Sequence, residues 1–152
     1  MNAGTNLEAL VRAQRDTAFV ALTDEEMVRI LRRGYAAYSR GDFDAAAELA
    51  HPDIMFVPPG GQAPLIGVEA FRQWMQPDAL VNVRIEPVAF SVNGERVLVR
   101  QRTQARGATS GIELDLETLV VWTLNDDGLA MRVESFLVHE EDAAAQAAGL
   151  AE

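Results

Sequence analysis

The feature that most constrains this chain is a change of period at Leu80. From there on, apolar and polar residues alternate, which is the two-residue period of half-buried strands. Turn signals at Asn93-Gly94, at Gly107 to Gly111 and at Asn125 to Gly128 cut this half into four strands. Asn93-Gly94 is the strongest of them, because both residues tolerate the positive φ of a tight hairpin turn. Strands joined this closely pair with their neighbours, so the half predicts an antiparallel meander and not parallel βαβ units.

Before Leu80 the period is helical. Thr23 can cap a helix while Glu26 reaches back to it, and Leu22 and Met27 are placed to close over that capping box. The helix predicted there carries Ile30, Leu31, Gly34, Tyr35 and Tyr38 on one stripe and stops near Gly41. Asp42 caps a second, alanine-rich helix that ends before His51-Pro52-Asp53. A short strand, Ile54 to Val57, runs into the turn Pro58-Pro59-Gly60-Gly61. A third helix carries Val68, Phe71, Trp74 and Met75 to Pro77, and a last one runs from Glu140 to Gly149. Residues 6–21 read as a helical extension with a short stripe of Leu7, Leu10 and Val11. The division is then an N-terminal helical extension, 1–22, and a single domain, 23–152, in a chain of 152 residues that suffices for one core.

Composition narrows the function classes. With no cysteine, disulfides, thiolate metal sites and cysteine nucleophiles are excluded. His51 and His139 are the only histidines, too few for an ordinary zinc site, so neither a metal nor another cofactor is expected. A net charge of −10 disfavours nucleic-acid phosphates as partners. No apolar run is long enough to span a bilayer, and Met1 to Asn6 do not read as a secretory signal, so the expected setting is the cytoplasm, away from the membrane.

Hairpin arithmetic sorts the two faces of the meander. Centres at Asn93-Gly94, Thr109 and Asp126-Asp127 put Ala89 opposite Leu98, Arg100 opposite Thr118, and Trp122 opposite Met131, and directly opposed residues share a face. One face then holds Ile85, Ala89, Leu98, Arg100, Arg102, Leu116, Thr118, Val120, Trp122, Met131, Val133, Ser135 and Leu137. The other holds Val88, Phe90, Val92, Val97, Val99, Leu119 and Val121, with Arg84, Glu117 and Glu134 towards its edges. A bulge would swap the faces beyond it.

Three stretches carry a family resemblance. AAYSRGDFDAAAELAHPDIMFVPPGG, LIGVEAFRQWM and VVWTLNDDGLAMRVESFLVHEEDAAAQAAGL resemble, in that order and spacing, the SnoaL-like and ketosteroid-isomerase-like families of the nuclear-transport-factor-2-like superfamily, over roughly residues 23–150. The resemblance implies an α+β fold: a curved antiparallel sheet wrapped around three helices into a cone with a central apolar pocket, usually in a homodimer. It implies no single reaction, since one scaffold can host many. The isomerase positions themselves are replaced. The family's helical tyrosine falls at Gly34, its catalytic aspartate at Pro58 and its protonated aspartate at Val120, so steroid isomerisation has no base and no oxyanion donors. The epoxide-hydrolase pattern of arginine and aspartate on one strand meets Arg100-Gln101-Arg102, which lacks the aspartate.

The resemblance also assigns the first face to the concave side. The predicted pocket is then Leu98, Val120, Trp122 and Val133, approached by Arg100 and Arg102, with Thr118 and Ser135 between, and Tyr38, Phe56 and Trp74 completing the wall. A cofactor-independent cyclase, isomerase or hydrolase acting on a polyketide-, terpenoid- or steroid-like molecule would use Arg100 and Arg102 to hold an oxygen, and Tyr38 or His139 to move a proton. The competing expectation is a non-catalytic ligand-binding or dimerisation module. Each residue has a plainer role too. Arg100 and Arg102 can pair with carboxylates at the sheet's open end, Phe56, Trp74 and Trp122 can be ordinary core, and His139 can be surface. His51 reads as structural, bonding its own loop backbone. Glu113, Asp115 and Glu117 alternate onto one face as a solvated strip without metal-binding geometry. The second face, apolar and turned outward, is the expected homodimer surface unless residues 6–21 cover it.

Overall fold

Thr23 does cap the first helix: its hydroxyl accepts from the Glu26 N–H at 3.1 Å, and Glu26 reaches back to the Thr23 backbone. The structure is a computed structural model that describes residues 22–60, 62–75 and 78–150, and the predicted extension at 6–21 lies outside the described residues. Helix α1 spans Asp24–Ser39, and α2 spans Phe43–Ala47 behind its Asp42 cap. Strand β1 (Ala50–Val57) starts earlier than its sequence signal, because Ala50 already pairs with Ala130; the His51 imidazole accepts from the Asp53 N–H, bonding its own stretch of backbone as the sequence suggested. A two-residue strand β2 (Leu65–Ile66) leads into α3 (Val68–Met75).

The meander follows as β3 (Leu80–Asn93), β4 (Arg96–Gly107), β5 (Glu113–Leu124) and β6 (Ala130–Leu137). A single 3₁₀ turn (Val138–Glu140) and helix α4 (Glu141–Ala147) end the described chain. No helix among the described residues is long and apolar enough to cross a membrane.

All six strands form one curved sheet in the order β2-β1-β6-β5-β4-β3. The expectation of a purely antiparallel sheet is corrected in one place: β1 lies parallel to β6. The three hairpins fix the direction of β6, and the crossover through β2 and α3 leaves β1 running alongside it. Helices α1 to α3 fill the concave side. The core there joins Met27 and Leu31 of α1, Phe71 of α3, Ile54 and Phe56 of β1, and Val97, Val99, Val120, Trp122 and Val133 of the meander.

The faces of β4 are reversed from the predicted ones, and the cause is one loop. Arg106 pairs with Glu113, so the β4–β5 connection is residues 107–112, an even number, centred between Thr109 and Ser110 and not on Thr109. That moves the register by one residue, which sends every side chain of β4 to the other face. Val97, Val99 and Gln101 point to the concave side opposite Trp122, Val120 and Thr118, while Leu98, Arg100 and Arg102 point to the convex side. Strand β5, and β6 from Arg132 on, keep their predicted faces, because Trp122 opposes Val133, a two-residue shift that leaves the alternation unchanged; at Met131 the register shifts, and Ala130 takes the core position opposite Leu124. On β3 a bulge at Val88 swaps the faces a second time. The two reversals cancel at Ile85, which lies on the concave side as expected.

The predicted apolar convex face is therefore also corrected. Val97 and Val99 are inside. The convex residues Leu119 and Val121 are buried by α4, whose Ala144, like the capping Ala148 after it, is fully covered. Asn93 donates to the Ala148 and Gly149 carbonyls and Arg96 to that of Ala147, satisfying the helix's last orphan acceptors. The chain's own C-terminal helix is the cover that the sequence had assigned to a partner or to residues 6–21.

Candidate functional site

Between α1, α3 and the concave sheet lies a cavity lined mainly by apolar side chains. Leu31, Gly34, Tyr35 and Tyr38 come from α1, Phe71, Trp74 and Met75 from α3, Phe56 from β1, Ile85 from β3, Gln101 from β4, Val120 and Trp122 from β5, and Val133 from β6, with Ala46 and Leu49 closing one end. Helical spacing brings the α1 residues onto one stripe, and sheet alternation brings the strand residues onto one face. Gly34 sits where a Cβ would approach Leu49 Cδ2 to 2.9 Å, so the absent side chain is part of the cavity's shape. Phe56, Phe71 and Trp74 form an aromatic wall, with 4.1 Å between the Phe56 and Trp74 ring centres.

The polar groups are few and linked. Trp122 Nε1 donates to the Tyr35 hydroxyl at 3.0 Å, and that hydroxyl donates to Gln101 Oε1 at 2.5 Å. The Tyr35 and Trp122 rings meet edge to face. Tyr38 donates to the Met75 carbonyl at 2.9 Å. Burial pushes the Tyr38 hydroxyl up to about 12. It pushes the Tyr35 hydroxyl higher still, only partly offset by the Trp122 N–H. Both tyrosines therefore stay neutral at physiological pH and serve as hydrogen-bond donors, not bases. No carboxylate or histidine lines the cavity among the described residues.

Of the site residues predicted from the sequence, Tyr38, Phe56, Trp74, Val120, Trp122 and Val133 meet here. Thr118 and Ser135 share the concave face but stand outside the lining. Leu98, Arg100 and Arg102 are on the opposite face, removed by the one-residue loop register. There Arg100 pairs with Glu117 and Glu141, Arg102 holds Asp115 through two hydrogen bonds, and Arg106 pairs with Glu113. The acidic strip is thus neutralised by cross-strand arginines, and the Arg102 guanidinium holds the Asp115 carboxyl below its usual range. His139 is exposed in the 3₁₀ turn, away from the cavity. No cluster of three or more histidine or carboxylate side chains that could hold a metal occurs among the described residues.

Tyr35 and Gln101 were missed. Tyr35 was legible, since it lies on the same α1 stripe as Leu31 and Tyr38. Gln101 was not, because only the β4–β5 register tells it apart from its arginine neighbours.

The open space inside measures about 50 Å³, room for more than a single water molecule. A larger surface groove of about 590 Å³ runs past Ser39, Phe43, Leu80 and Val81, and it shares Tyr38 and Met75 with the cavity. The Tyr38–Met75 hydrogen bond is thus part of the wall between them.

The model of the SnoaL-like domain family matches residues 31–133. Among solved structures, the chain is similar to the epoxide hydrolase/cyclase-like enzyme SalBIII of pyran ring formation in the polyether salinomycin, with a TM-score of 0.68 and 21% identity over 74% of this chain and 91% of that one. It is similar also to a candidate polyketide cyclase from Xanthomonas campestris pv. campestris (TM-score 0.67, 20% identity, 79% and 96% covered). A candidate polyketide cyclase from Sinorhizobium meliloti is 27% identical (TM-score 0.58, 70% and 93% covered). Comparison with curated proteins returned no match.

Proposed function

The chain belongs to the SnoaL-like domain family, and from that premise we propose that it binds a small, uncharged, mainly apolar molecule carrying oxygen, in the cavity between α1, α3 and the sheet. The observation that carries this reading is the cavity's composition: an aromatic and aliphatic lining around one connected polar cluster, Trp122, Tyr35 and Gln101. A charged ligand would meet no counter-charge there among the described residues. The similarity to an epoxide hydrolase/cyclase-like enzyme of pyran ring formation and to a candidate polyketide cyclase makes a polyketide- or terpenoid-like skeleton the favoured class. Binding is the function favoured over acid–base catalysis, because the groups that converge are neutral donors and a general base has to sit within hydrogen-bond reach of its proton. A molecule larger than the cavity enters from the adjoining groove by parting Tyr38 from Met75.

The test uses the chain's two tryptophans, both of which line the cavity. In ¹⁵N-labelled protein, titration with the bicyclic ketone 1-indanone should shift the indole N–H signals of both Trp74 and Trp122. Trp122 is buried, so a ligand resting on the surface leaves its signal unmoved. An unmoved Trp122 resonance at saturating ketone would reject the cavity as the site.

We also propose a homodimer, seated away from the convex face. Leu114, Leu116 and Leu137 lie on the concave side beyond the helices, at 37%, 40% and 37% exposure, and scattered single apolar residues need no cover whereas an adjacent group does. Light scattering behind size-exclusion chromatography should show a dimer for the native chain and a monomer for Leu116→Glu. A native monomer, or a variant that stays dimeric, would overturn this surface.

A further inference from the structure

Resting on the cavity being the ligand site, we infer that Gln101 Nε2 is the group that selects the ligand, and that it selects for a hydrogen-bond acceptor such as a ketone, lactone, ether or epoxide oxygen. The directions of the polar cluster lead to this. Trp122 Nε1 has one hydrogen and gives it to the Tyr35 hydroxyl. The Tyr35 hydroxyl gives its hydrogen to Gln101 Oε1. Tyr38 gives its hydrogen to the Met75 carbonyl. Of the five side chains lining the cavity that can donate, these three have thereby spent their hydrogens within the protein.

Gln101 has not. Holding Oε1 against Tyr35 fixes which way the Gln101 amide faces and turns Nε2, with two N–H groups, to the other side. Nε2 has no hydrogen-bond partner among the described residues, and yet no side-chain nitrogen or oxygen that is fully buried there lacks one. Nε2 therefore has open space in front of it. Gln101 is only 6% exposed and lines the cavity, so that open space is the cavity. Without a ligand only water can meet this donor, and a ligand that displaces the water keeps the hydrogen bond only if it brings an acceptor. A hydrocarbon of the same shape leaves it unmet, which is how a polar group in an apolar site gains selectivity.

The chain Trp122–Tyr35–Gln101 thus acts as a unit. Tyr35 and Trp122 are positioning residues, and the Gln101 amide touches the ligand. The neighbouring arginines on β4 take no part, since they lie across the sheet.

The experiment compares 1-indanone with indane, which differ by one carbonyl in place of a methylene. Calorimetry on the native chain should give the ketone an advantage of about fivefold to tenfold, the size of one neutral hydrogen bond. In Gln101→Met, whose sulfur leaves the Tyr35 hydroxyl a weak acceptor, the ratio of ketone to indane affinity should shrink to within about twofold. A ketone advantage that survives in folded Gln101→Met overturns the inference. Should that variant not fold, the carbonyl stretch of 1-indanone bound to the native chain decides alone: a red shift from its value in hydrocarbon solvent is expected, and an unshifted band overturns the inference. Equal binding of the two probes to the native chain rejects selection by Gln101 and leaves the cavity site standing, whereas no binding of either rejects both.

Discussion

Along β4, neighbouring residues live in opposite surroundings. Val97, Val99 and Gln101 face the helices and are buried, whereas Arg96, Leu98, Arg100 and Arg102 face outward. The concave face is held together by apolar packing around the linked polar cluster of Trp122, Tyr35 and Gln101. At its open end the convex face is a ladder of arginines against Glu113, Asp115 and Glu117, and at its other end a short helix lies over Leu119 and Val121. The same alternating strand supplies both, so what separates a ligand-facing amide from a solvent-facing guanidinium is register alone. Composition does not distinguish the faces, because each contains valines, leucines and polar groups.

The largest expected difference between the faces is in stability. Phe56 is almost wholly buried against Phe71 and Trp74, so Phe56→Ala should cost about 3–5 kcal/mol in urea unfolding. A loss of under about 1 kcal/mol would mean that the aromatic wall is not close-packed.

The two tyrosines of the chain offer a reading of the concave face without mutation. An exposed tyrosine ionises near 10, and burial raises Tyr38 to about 12 and Tyr35 further. Ionisation is thus easier in the unfolded chain, so this contribution to stability is present below pH 10 and is lost as pH rises through about 12. Tyrosinate absorbance should stay flat past pH 10 and rise only towards 12, together with loss of the folded circular dichroism. A normal rise near 10 in folded protein would put the tyrosines in water.

The sharpest test of the convex cover is Asn93→Ala, which removes the donors to the Ala148 and Gly149 carbonyls. It should cost about 1–2 kcal/mol and speed amide exchange in α4 while leaving α1 unchanged. Uniform loosening of both helices would show that α4 is not a separate cover.

Arg102→Ala should do least. Its partner Asp115 is exposed, and exposed ion pairs contribute little. The Asp115 carboxyl is held below its usual range, so what the pair adds is present at neutral pH, fades as pH falls through the carboxylate range, and is weakened by salt. Affinity for 1-indanone should be unchanged. A drop would return Arg102 to the site that the sequence suggested.

How much of this the sequence held follows from local against non-local rules. The Thr23–Glu26 cap, the α1 stripe with Tyr38, and the last helix ending at Gly149 are written within a few residues of where they act, and they appear where expected. The cavity residues Phe56, Trp74, Val120, Trp122 and Val133 were legible for a related reason, since the family resemblance aligned them and their parity on β5 and β6 survived a two-residue shift. What failed was non-local. Whether the loop at 107–112 turns about a residue or between two residues depends on how Gly107 and Gly111 close it, and half a residue there decides Gln101 against Arg100 and Arg102. The Val88 bulge is equally silent in the sequence, and it happened to return Ile85 to the predicted side.

That half residue is open to direct measurement, because the chain has no cysteine and single cysteines along β4 would report without background. In Leu98→Cys, Val99→Cys, Arg100→Cys, Gln101→Cys and Arg102→Cys, reaction with a water-soluble thiol reagent should be fast at 98, 100 and 102 and strongly retarded at 99 and 101. Saturating 1-indanone should slow position 101 further and leave position 100 unaffected. The reverse alternation, with 100 and 102 protected and 101 reactive, would contradict the register and with it the assignment of Gln101 to the cavity.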